Sequence, residues 1–382
     1  QRARDYGCYV VFCNLVGGQD ELVFDGHSCV IDYSGNIISR AKGFKEQLLF
    51  TDIDDKHLAR LRENKVKLKD KSRISQVDIV KLAGKITKKI QSNNKLSVFY
   101  SQYEEIFKAL VLGTKDYINK NGFKKVVIGL SGGIDSSLVC LIAKEAVGAK
   151  NVTGVLMPSQ YSSAGSITDS EALSHNLGIE TLTVPIKKLF DQYNKSLSEI
   201  FIGTKVGITE ENLQPRIRGN ILMALSNKFG WLVLTTANKS ETSVGYSTLY
   251  GDMAGGFAVI KDVPKTLVYK LCEYYNESKK SGIIPQNVID KPPSAELRPD
   301  QKDTDSLPEY DILDPILKAY IEDDMGIDQI AELGYNKKLV QRVIKLVDRN
   351  EYKRRQAAPG VKITPRAFGK DRRFPITNRF HN

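Results

Sequence analysis

A short run of glycine, serine and aspartate offers the clearest chemistry in this sequence. Ser131-Gly-Gly-Ile-Asp-Ser-Ser137 follows an apolar run, Val126-Val-Ile-Gly-Leu130, that is typical of a buried strand. Gly132 and Gly133 permit positive φ and close backbone approach, and exposed N–H groups at the start of a helix attract anions. The hydroxyls of Ser131, Ser136 and Ser137 could add donors. The run therefore predicts a phosphate-binding loop.

Asp135 within this loop points to a metal ion. A carboxylate beside a phosphate is repulsive unless a cation lies between them, and Mg²⁺ takes oxygen ligands and commonly bridges phosphates. The structural alternative is a Gly-Gly turn with a serine and aspartate helix cap. The Gly-x-x-x-x-Gly-Lys-Ser/Thr loop of the common nucleoside triphosphatases does not occur.

Strands alternate with helices around this loop. Strands are predicted at 126–130, 152–157, 180–184 and 231–236, and helices at 135–147, 167–177 and 209–228. A further helix is predicted from about residue 98 to Gly122, and two or three short helices between residues 313 and 348. The pattern predicts an α/β fold with a doubly wound parallel sheet, whose ligands bind beyond the carboxyl ends of the strands. Residues 282–310, rich in Pro and Asp, are expected to form a loop near the site.

Composition narrows the class of protein. With 41% hydrophobic and 26% charged residues the chain is typical of a globular protein, and no apolar run is long enough to span a membrane. The net charge of +11 comes largely from stretches at 56–89 and 351–382, which suit an anionic small molecule, a solvated face or nucleic acid. We expect the five cysteines to be buried free thiols in a reducing cytoplasm.

Ser-Gly-Gly-x-Asp-Ser resembles the signature of the ATP pyrophosphatase family, which includes NAD, GMP, asparagine and argininosuccinate synthetases. Further strings are similar to NAD synthetase: Leu234-Thr-Thr-Ala-Asn-Lys-Ser-Glu241, Lys261-Asp-Val-Pro-Lys-Thr266 and Pro292-Pro-Ser-Ala-Glu-Leu297. Gly251-Asp-Met-Ala-Gly-Gly256 and Arg354-Arg-Gln-Ala-Ala-Pro359 resemble its glutamine-dependent, two-domain branch. The resemblance covers about residues 100–370. It implies the adenine-nucleotide alpha-hydrolase type of sheet.

The first residues resemble a different fold. Residues 14–26 are similar to the closing part of the nitrilase-like glutaminase domain of that branch, an α/β domain with a Cys nucleophile. Since no Cys-Glu-Asp segment is present, we expect a remnant of that domain at 1–52, a linker at 53–97 and the synthetase domain at 98–382. Cys13 lies outside the expected context and is predicted to be a buried core thiol. The chain is then expected not to hydrolyse glutamine.

The resemblance also implies roles for individual residues. Asp135 and Lys265 would be catalytic, and Asp135 with Glu241 would hold the metal ion. Asn220, Glu241 and Lys353 would contact the dinucleotide substrate. ATP would be bound by Gly129, Leu130, Ser131, Gly132, Gly133, Ile134, Asp135, Ser136, Ser137, Thr236, Lys265 and Ser294. Leu249 departs from the pattern, because the shorter, ammonia-dependent branch has a lysine there.

The implied activity is ATP-dependent amidation of deamido-NAD to NAD through an adenylated intermediate, with ATP and Mg²⁺ and with ammonia or glutamine as nitrogen source. The alternatives are another ATP-pyrophosphatase amidotransferase, such as GMP synthetase, or an inactive nucleotide-binding fragment. The resemblance implies a homodimer or higher homo-oligomer. We expect no nucleic-acid partner, no membrane association and a cytoplasmic location.

Overall fold

The computed structural model describes residues 1–53 and 95–377. Contacts divide the chain into two compact units, one of residues 1–16 with 24–99 and one of residues 17–23 with 100–382. Most of the predicted linker at 53–97, and the basic stretch at 56–89, lie outside the described residues. The predicted domain boundaries stay a prediction.

The first unit contains a small antiparallel sheet. Its strands are β1 (Val10–Phe12), β4 (Cys29–Ile31) and β5 (Ile37–Arg40), in the order β1-β4-β5, and helix α1 (Arg2–Tyr6) precedes them. The strand-like runs at 9–12, 28–31 and 36–38 of the sequence predict these three strands, and the structure confirms them. Strands β2 (Val16–Gln19) and β3 (Leu22–Asp25), which were not predicted, form a separate ribbon.

The cysteine prediction is wrong for part of the chain. Cys13 is exposed just beyond β1, and Cys8 and Cys29 are half-buried. Cys140 and Cys272 are buried as expected, and burial raises the pKa of both thiols. Cys13 differs because β1 is an edge strand of a small sheet, so the strand pattern around it does not imply burial on both faces.

The second unit is built on a parallel sheet. Its strands are β6 (Val126–Leu130), β7 (Val152–Leu156), β8 (Glu180–Thr183), β9 (Leu232–Thr235) and β10 (Phe257–Ala258), in the order β10-β9-β6-β7-β8. The order reverses at β6, which pairs with β7 and β9, and this confirms the predicted doubly wound sheet. The two-residue strand β10 is too short to give a periodic signal in the sequence.

Helices cover this sheet and extend beyond it. They are α2 (Gln102–Lys120), α3 (Ile134–Val147), α4 (Ala164–Leu177), α5 (Lys187–Leu197), α6 (Ile208–Phe229), α7 (Lys239–Val244), α8 (Lys265–Lys279), α9 (Gln286–Asp290), α10 (Tyr310–Ile321), α11 (Ile327–Glu332), α12 (Lys337–Arg349) and α13 (Glu351–Arg354). Helix α3, which follows the glycine loop, is apolar on most of its surface, and Leu138, Leu141 and Ile142 are fully buried. Helices α5 and α8 were not predicted from the sequence. Among the described residues, no helix is both long and apolar enough to cross a membrane.

A second apolar cluster lies outside the sheet. It joins α7, α10 and α12 through Val244, Leu313, Ile316, Val343 and Val347, all of them buried. Because α7 and α8 begin beside the predicted site, the packing of α10 against both helices bears directly on the position of the site residues.

Candidate active site

A cavity of about 280 Å³ opens beyond the carboxyl ends of β6 and β9. Its lining includes most of the predicted residues: Gly129, Leu130, Ser131, Gly133, Ile134, Asp135, Thr236, Glu241, Lys265 and Ser294. Parallel strands end at the same edge of a sheet, so residues that follow different strands meet there. Gly132, Ser136, Ser137, Asn220 and Lys353 are not among the lining residues.

The glycine loop is held in one conformation by its own residues. Gly132 has φ of 74°, and a Cβ atom there would lie 2.3 Å from the carbonyl oxygen of Ser166. A side chain is therefore excluded by both backbone conformation and space. Gly133 is the N-cap of α3, and its carbonyl oxygen accepts hydrogen bonds from the hydroxyls of Ser136 and Ser137, each at 2.9 Å. These two serines shape the loop in the structure, with their hydroxyls directed to the backbone.

Asp135 lies at the centre of a charged cluster. One carboxylate oxygen accepts a hydrogen bond from the side-chain amide of Asn238 at 2.9 Å, and the other is paired with the ammonium of Lys265. The same ammonium lies 3.4 Å from Oε1 of Glu241. Lys265 begins α8 and Glu241 lies in the first turn of α7, so two helix starts and the glycine loop converge here.

The charged groups in this cluster shift one another's pKa. Burial opposes the charged form of Lys265, but the nearby carboxylates of Asp135 and Glu241 outweigh it and raise the pKa of the lysine. Burial raises the pKa of Glu241, Lys265 opposes this shift, and the negative charge of Asp135 adds to it. Lys265 is therefore a permanent cation, and Glu241 requires a nearby positive charge to remain ionised.

Two carboxylates at this position fit a hard divalent cation. Asp135 and Glu241 supply oxygen ligands, and Mg²⁺ is commonly held by one or two carboxylates together with phosphate oxygens and water. The ammonium of Lys265 already lies against both carboxylates, which shows that the site favours a positive charge. The donor set is therefore suitable for the predicted ion.

The loop after α9 forms another wall of the cavity, as the sequence predicts for residues 282–310. Ser294 accepts a hydrogen bond from the backbone N–H of Glu296 at 3.2 Å. Glu296 accepts from the hydroxyls of Ser163 and Ser166, at 3.0 and 2.6 Å, and Lys291 lies 3.3 Å from its carboxylate. These contacts hold the loop against the start of α4.

Several lining residues were missed from the sequence. Tyr246 lines the cavity, and its buried hydroxyl interacts with the carboxylate of Asp303. Asp303 also lines it, and its carboxylate accepts a hydrogen bond from Tyr310 at 2.8 Å.

Arg218 is a further cavity-lining residue that was not predicted from the sequence, and it is positively charged. It lines the cavity from α6, and its Nε donates to the carbonyl oxygen of Met157 at 3.1 Å. Burial lowers its pKa to about 10, which leaves it charged at neutral pH. The arginine-rich string in α6 was the available signal, because a guanidinium suits phosphate and carboxylate ligands.

Two predicted substrate residues lie apart from the cavity lining. Asn220 is exposed on α6. Lys353 donates to the carbonyl oxygens of Gly245 and Ser247, at 2.7 and 2.8 Å, and so binds the end of α7 and the segment after it. Its predicted contact with substrate stays a prediction.

Two protein-family models match parts of this chain. The NAD synthase family model matches residues 106–357, and the carbon-nitrogen hydrolase model matches residues 1–63. The second match supports the nitrilase-like fold predicted for the first residues.

Individual relatives cover almost the whole chain. The glutamine-dependent NAD(+) synthetases of Thermotoga maritima and Aquifex aeolicus are 54% and 49% identical to it, over 99% of its residues. The chain spans 66% of the length of each of these relatives, slightly less than two thirds. The coverage of this chain gives no support to the predicted truncation, which stays a prediction.

Solved structures show the same likeness. The glutamine-dependent NAD+ synthetase of Acinetobacter baumannii, solved with ADP, is 42% identical with a TM-score of 0.65, covering 99% of this chain and 63% of that one. The NH3-dependent NAD synthetase of Campylobacter jejuni is 27% identical with a TM-score of 0.54, covering 66% of this chain and 96% of that one.

Proposed function

Because the chain belongs to the NAD synthase family, we propose that it amidates deamido-NAD to NAD at the expense of ATP, releasing AMP and pyrophosphate. One observation supports this most strongly: Asp135, Lys265 and Glu241 converge beside a glycine loop at the carboxyl edge of a parallel sheet. That arrangement suits the transfer of an adenylyl group, because it places charged groups next to a phosphate-binding loop.

The chemistry follows from the poor reactivity of a carboxylate. The nicotinate carboxylate attacks the α-phosphate of ATP, which forms a mixed anhydride with AMP and expels pyrophosphate. Ammonia then attacks the acyl carbon and displaces AMP, which leaves the amide. The protein's contribution is to position the two reactants and to neutralise charge on the departing pyrophosphate.

The loop and Lys265 would perform that neutralisation. Residues at the start of α3 line the cavity, and the helix dipole favours an anion there. Lys265 is 2% exposed and carries a positive charge that can shift from the carboxylates towards leaving phosphate oxygens. Thr236 and Ser294, which both line the cavity, would add hydroxyl contacts to ATP.

We further propose that Asp135 and Glu241 hold Mg²⁺ when nucleotide is bound. The ion would neutralise phosphate charge during adenylation. Arg218 lies on another wall and would attract the anionic groups of either nucleotide. Asn220 and Lys353 remain proposed contacts to deamido-NAD.

The nitrogen source that this chain uses is proposed to be ammonia; the names of the relatives indicate that those full-length enzymes obtain it from glutamine. A homodimer formed through the synthetase unit is also proposed. Large apolar side chains before and at the start of α6 support self-association, since Ile202 and Val206 are 80% and 84% exposed.

One assay tests the proposed activity. The chain is incubated with ATP, Mg²⁺, deamido-NAD and either ammonium or glutamine, and NAD, AMP and pyrophosphate are measured. Equal amounts of the three products with ammonium are expected. Absence of NAD with ammonium would refute the proposed function, and product from xanthosine monophosphate instead would favour the GMP synthetase alternative. Product with glutamine alone would refute the predicted truncation of the glutaminase.

A further inference from the structure

A buried carboxylate outside the cavity connects the two helices that carry Glu241 and Lys265. Asp314 lies in α10 and is 8% exposed. One of its oxygens accepts hydrogen bonds from both the backbone N–H and the hydroxyl of Thr266, at 2.9 and 2.8 Å. Its other oxygen accepts from the hydroxyl of Ser240. Asp314 therefore bonds to the first turn of α7 and to the first turn of α8.

The bonded residues are the direct chain neighbours of the site residues. Ser240 precedes Glu241, and Thr266 follows Lys265. The hydroxyl oxygen of Ser240 also accepts the backbone N–H of Lys265 at 2.8 Å, which closes the connection between the two helix starts. A change at Asp314 would consequently be transmitted through one residue to each of the two charged groups.

Two side chains accept backbone N–H groups at the start of α8: Asp314 accepts that of Thr266, and Ser240 accepts that of Lys265. Its N-cap is Pro264, which has no side-chain hydrogen-bond acceptor, so the acceptors for the first turn come from the neighbouring helices α7 and α10. A negative group at a helix start is also favoured by the helix dipole. The carboxylate thus fixes the direction of α8 at the point where Lys265 enters the cavity.

We propose that Asp314 is a positioning residue for the adenylation step, setting the separation of Glu241 and Lys265 through Ser240 and Thr266. This inference rests on the proposed function. Burial raises the pKa of Asp314, while the hydrogen bonds from Ser240 and Thr266 oppose the shift, as expected of a carboxylate whose partners are fixed in place. Asp314 is not among the residues that line the cavity, so its effect on turnover would be exerted through the positions of its neighbours.

The test compares kcat with KM in a matched series of variants. Asp314→Ala is expected to lower kcat about 100-fold, the size of effect that a displacement near 1 Å can have, while KM for ATP changes less than about threefold. Asp314→Asn keeps an acceptor oxygen for Thr266 and is expected to retain about tenfold more activity than the alanine variant.

A second pair of variants changes only Thr266 and provides the test if Asp314→Ala does not fold. Thr266→Val deletes only the hydroxyl bonded to Asp314, whereas Thr266→Ser keeps it. Thr266→Val is expected to lower kcat about tenfold, and Thr266→Ser is expected to restore it to within about twofold of the wild type. Equal kcat values in the two variants would overturn the proposal.

The control is Asp116→Ala in α2, which removes a carboxylate that also accepts a backbone N–H, from Gly18 at 2.8 Å, away from the cavity. Its kcat is expected to equal that of the wild type. If Asp116→Ala and Asp314→Ala lose kcat equally, or if Asp314→Ala changes only KM, the positioning role is refuted. An inactive wild type would refute the proposed function, and this inference with it.

Discussion

At the scale of single residues, Asp135 is the centre of the site because both its oxygens are held in place. The amide of Asn238 and the ammonium of Lys265 fix the carboxylate before any ligand binds. Asn238 also caps α7 by accepting the backbone N–H of Glu241 at 2.9 Å, so one amide holds the carboxylate of Asp135 and the backbone of Glu241. Such fixed neighbours reduce the reorganisation that binding and reaction would require.

The first prediction concerns Asp135. Asp135→Asn keeps the size of the side chain but removes the negative charge proposed to bind Mg²⁺, so pyrophosphate release is expected to fall by about 100-fold or more. The fold is expected to be retained with a lower melting temperature, because the amide offers one acceptor oxygen to two donors and the buried Lys265 loses a charged partner. Asp116→Asn is the matched control. Unchanged turnover in Asp135→Asn would remove Asp135 from the proposed metal site.

A second prediction at this scale concerns pH and Asp303. Burial raises the pKa of this carboxyl group, although the hydrogen bond from Tyr310 opposes the shift. Its protonated form therefore favours the folded state. The stabilisation of the folded state by protonated Asp303 is complete below about 3.9, the pKa of this group in the unfolded chain. It is lost as the pH rises through the higher pKa of the group in the folded protein.

Asp303→Asn removes that dependence, so the variant is expected to gain stability relative to the wild type as the pH rises above about 4 and through the raised pKa of Asp303. Urea denaturation at several pH values measures the difference. Glu145→Gln should show the opposite trend, because hydrogen bonds from Lys144 and Tyr275 outweigh burial and lower the pKa of Glu145. If the difference in unfolding free energy between Asp303→Asn and the wild type does not vary with pH, the expected effect is contradicted.

At the scale of elements, the end of α7 is bound by the residues that begin α13. Asn350 donates to the carbonyl oxygen of Val244 at 2.8 Å, and Lys353 donates to Gly245 and Ser247. These side chains satisfy carbonyl groups that the end of a helix leaves without partners. Because α7 carries Glu241 at its other end, the segment that follows α12 helps to fix the site.

The prediction for this element is a loss of stability in Lys353→Met. Two carbonyl oxygens lose their charged donor, and unfolding is expected to require about 1 to 3 kcal/mol less free energy. Lys337→Met, at an exposed lysine paired with Asp328, serves as the control and should change stability by less than about 1 kcal/mol.

The KM for deamido-NAD in Lys353→Met then separates two roles. A raised KM would support the proposed substrate contact. An unchanged KM together with lower stability would leave the helix-end contact as the role of this lysine.

At the scale of the whole molecule, the segment before α6 carries an unusual amount of exposed apolar surface. Ile200, Ile202, Val206 and Ile208 are each more than 70% exposed, and they lie within nine residues. Clustered apolar groups of this kind are typical of protein interaction surfaces, and we attribute them to the proposed homodimer.

The corresponding prediction is that Ile202→Asp with Val206→Asp converts a dimer to a monomer. Buried carboxylates at an interface cost more free energy than the lost apolar contacts alone. Light scattering after size-exclusion chromatography gives the mass of each form. Lys205→Asp, in the same segment, is the control for charge. A wild type that is monomeric at micromolar concentration would refute this assignment.

The sequence by itself determined the parallel sheet, the glycine loop and the residues that follow each strand. Strand and helix periodicities are local properties, and residues 129–137 combine turn, strand end and helix start in one continuous segment. Asp135, Thr236, Glu241, Lys265 and Ser294 line the cavity as the resemblance implied.

Only the tertiary structure decided what these residues contact. The pairing of Asp135 with Asn238 and Lys265, and the connection through Asp314, join residues between 48 and 130 positions apart, for which no local pattern exists. Ser136 and Ser137 satisfy the loop's own carbonyl, and Cys13 is exposed at a sheet edge. Side-chain direction and burial depend on which elements pack together, and that is a property of the whole fold.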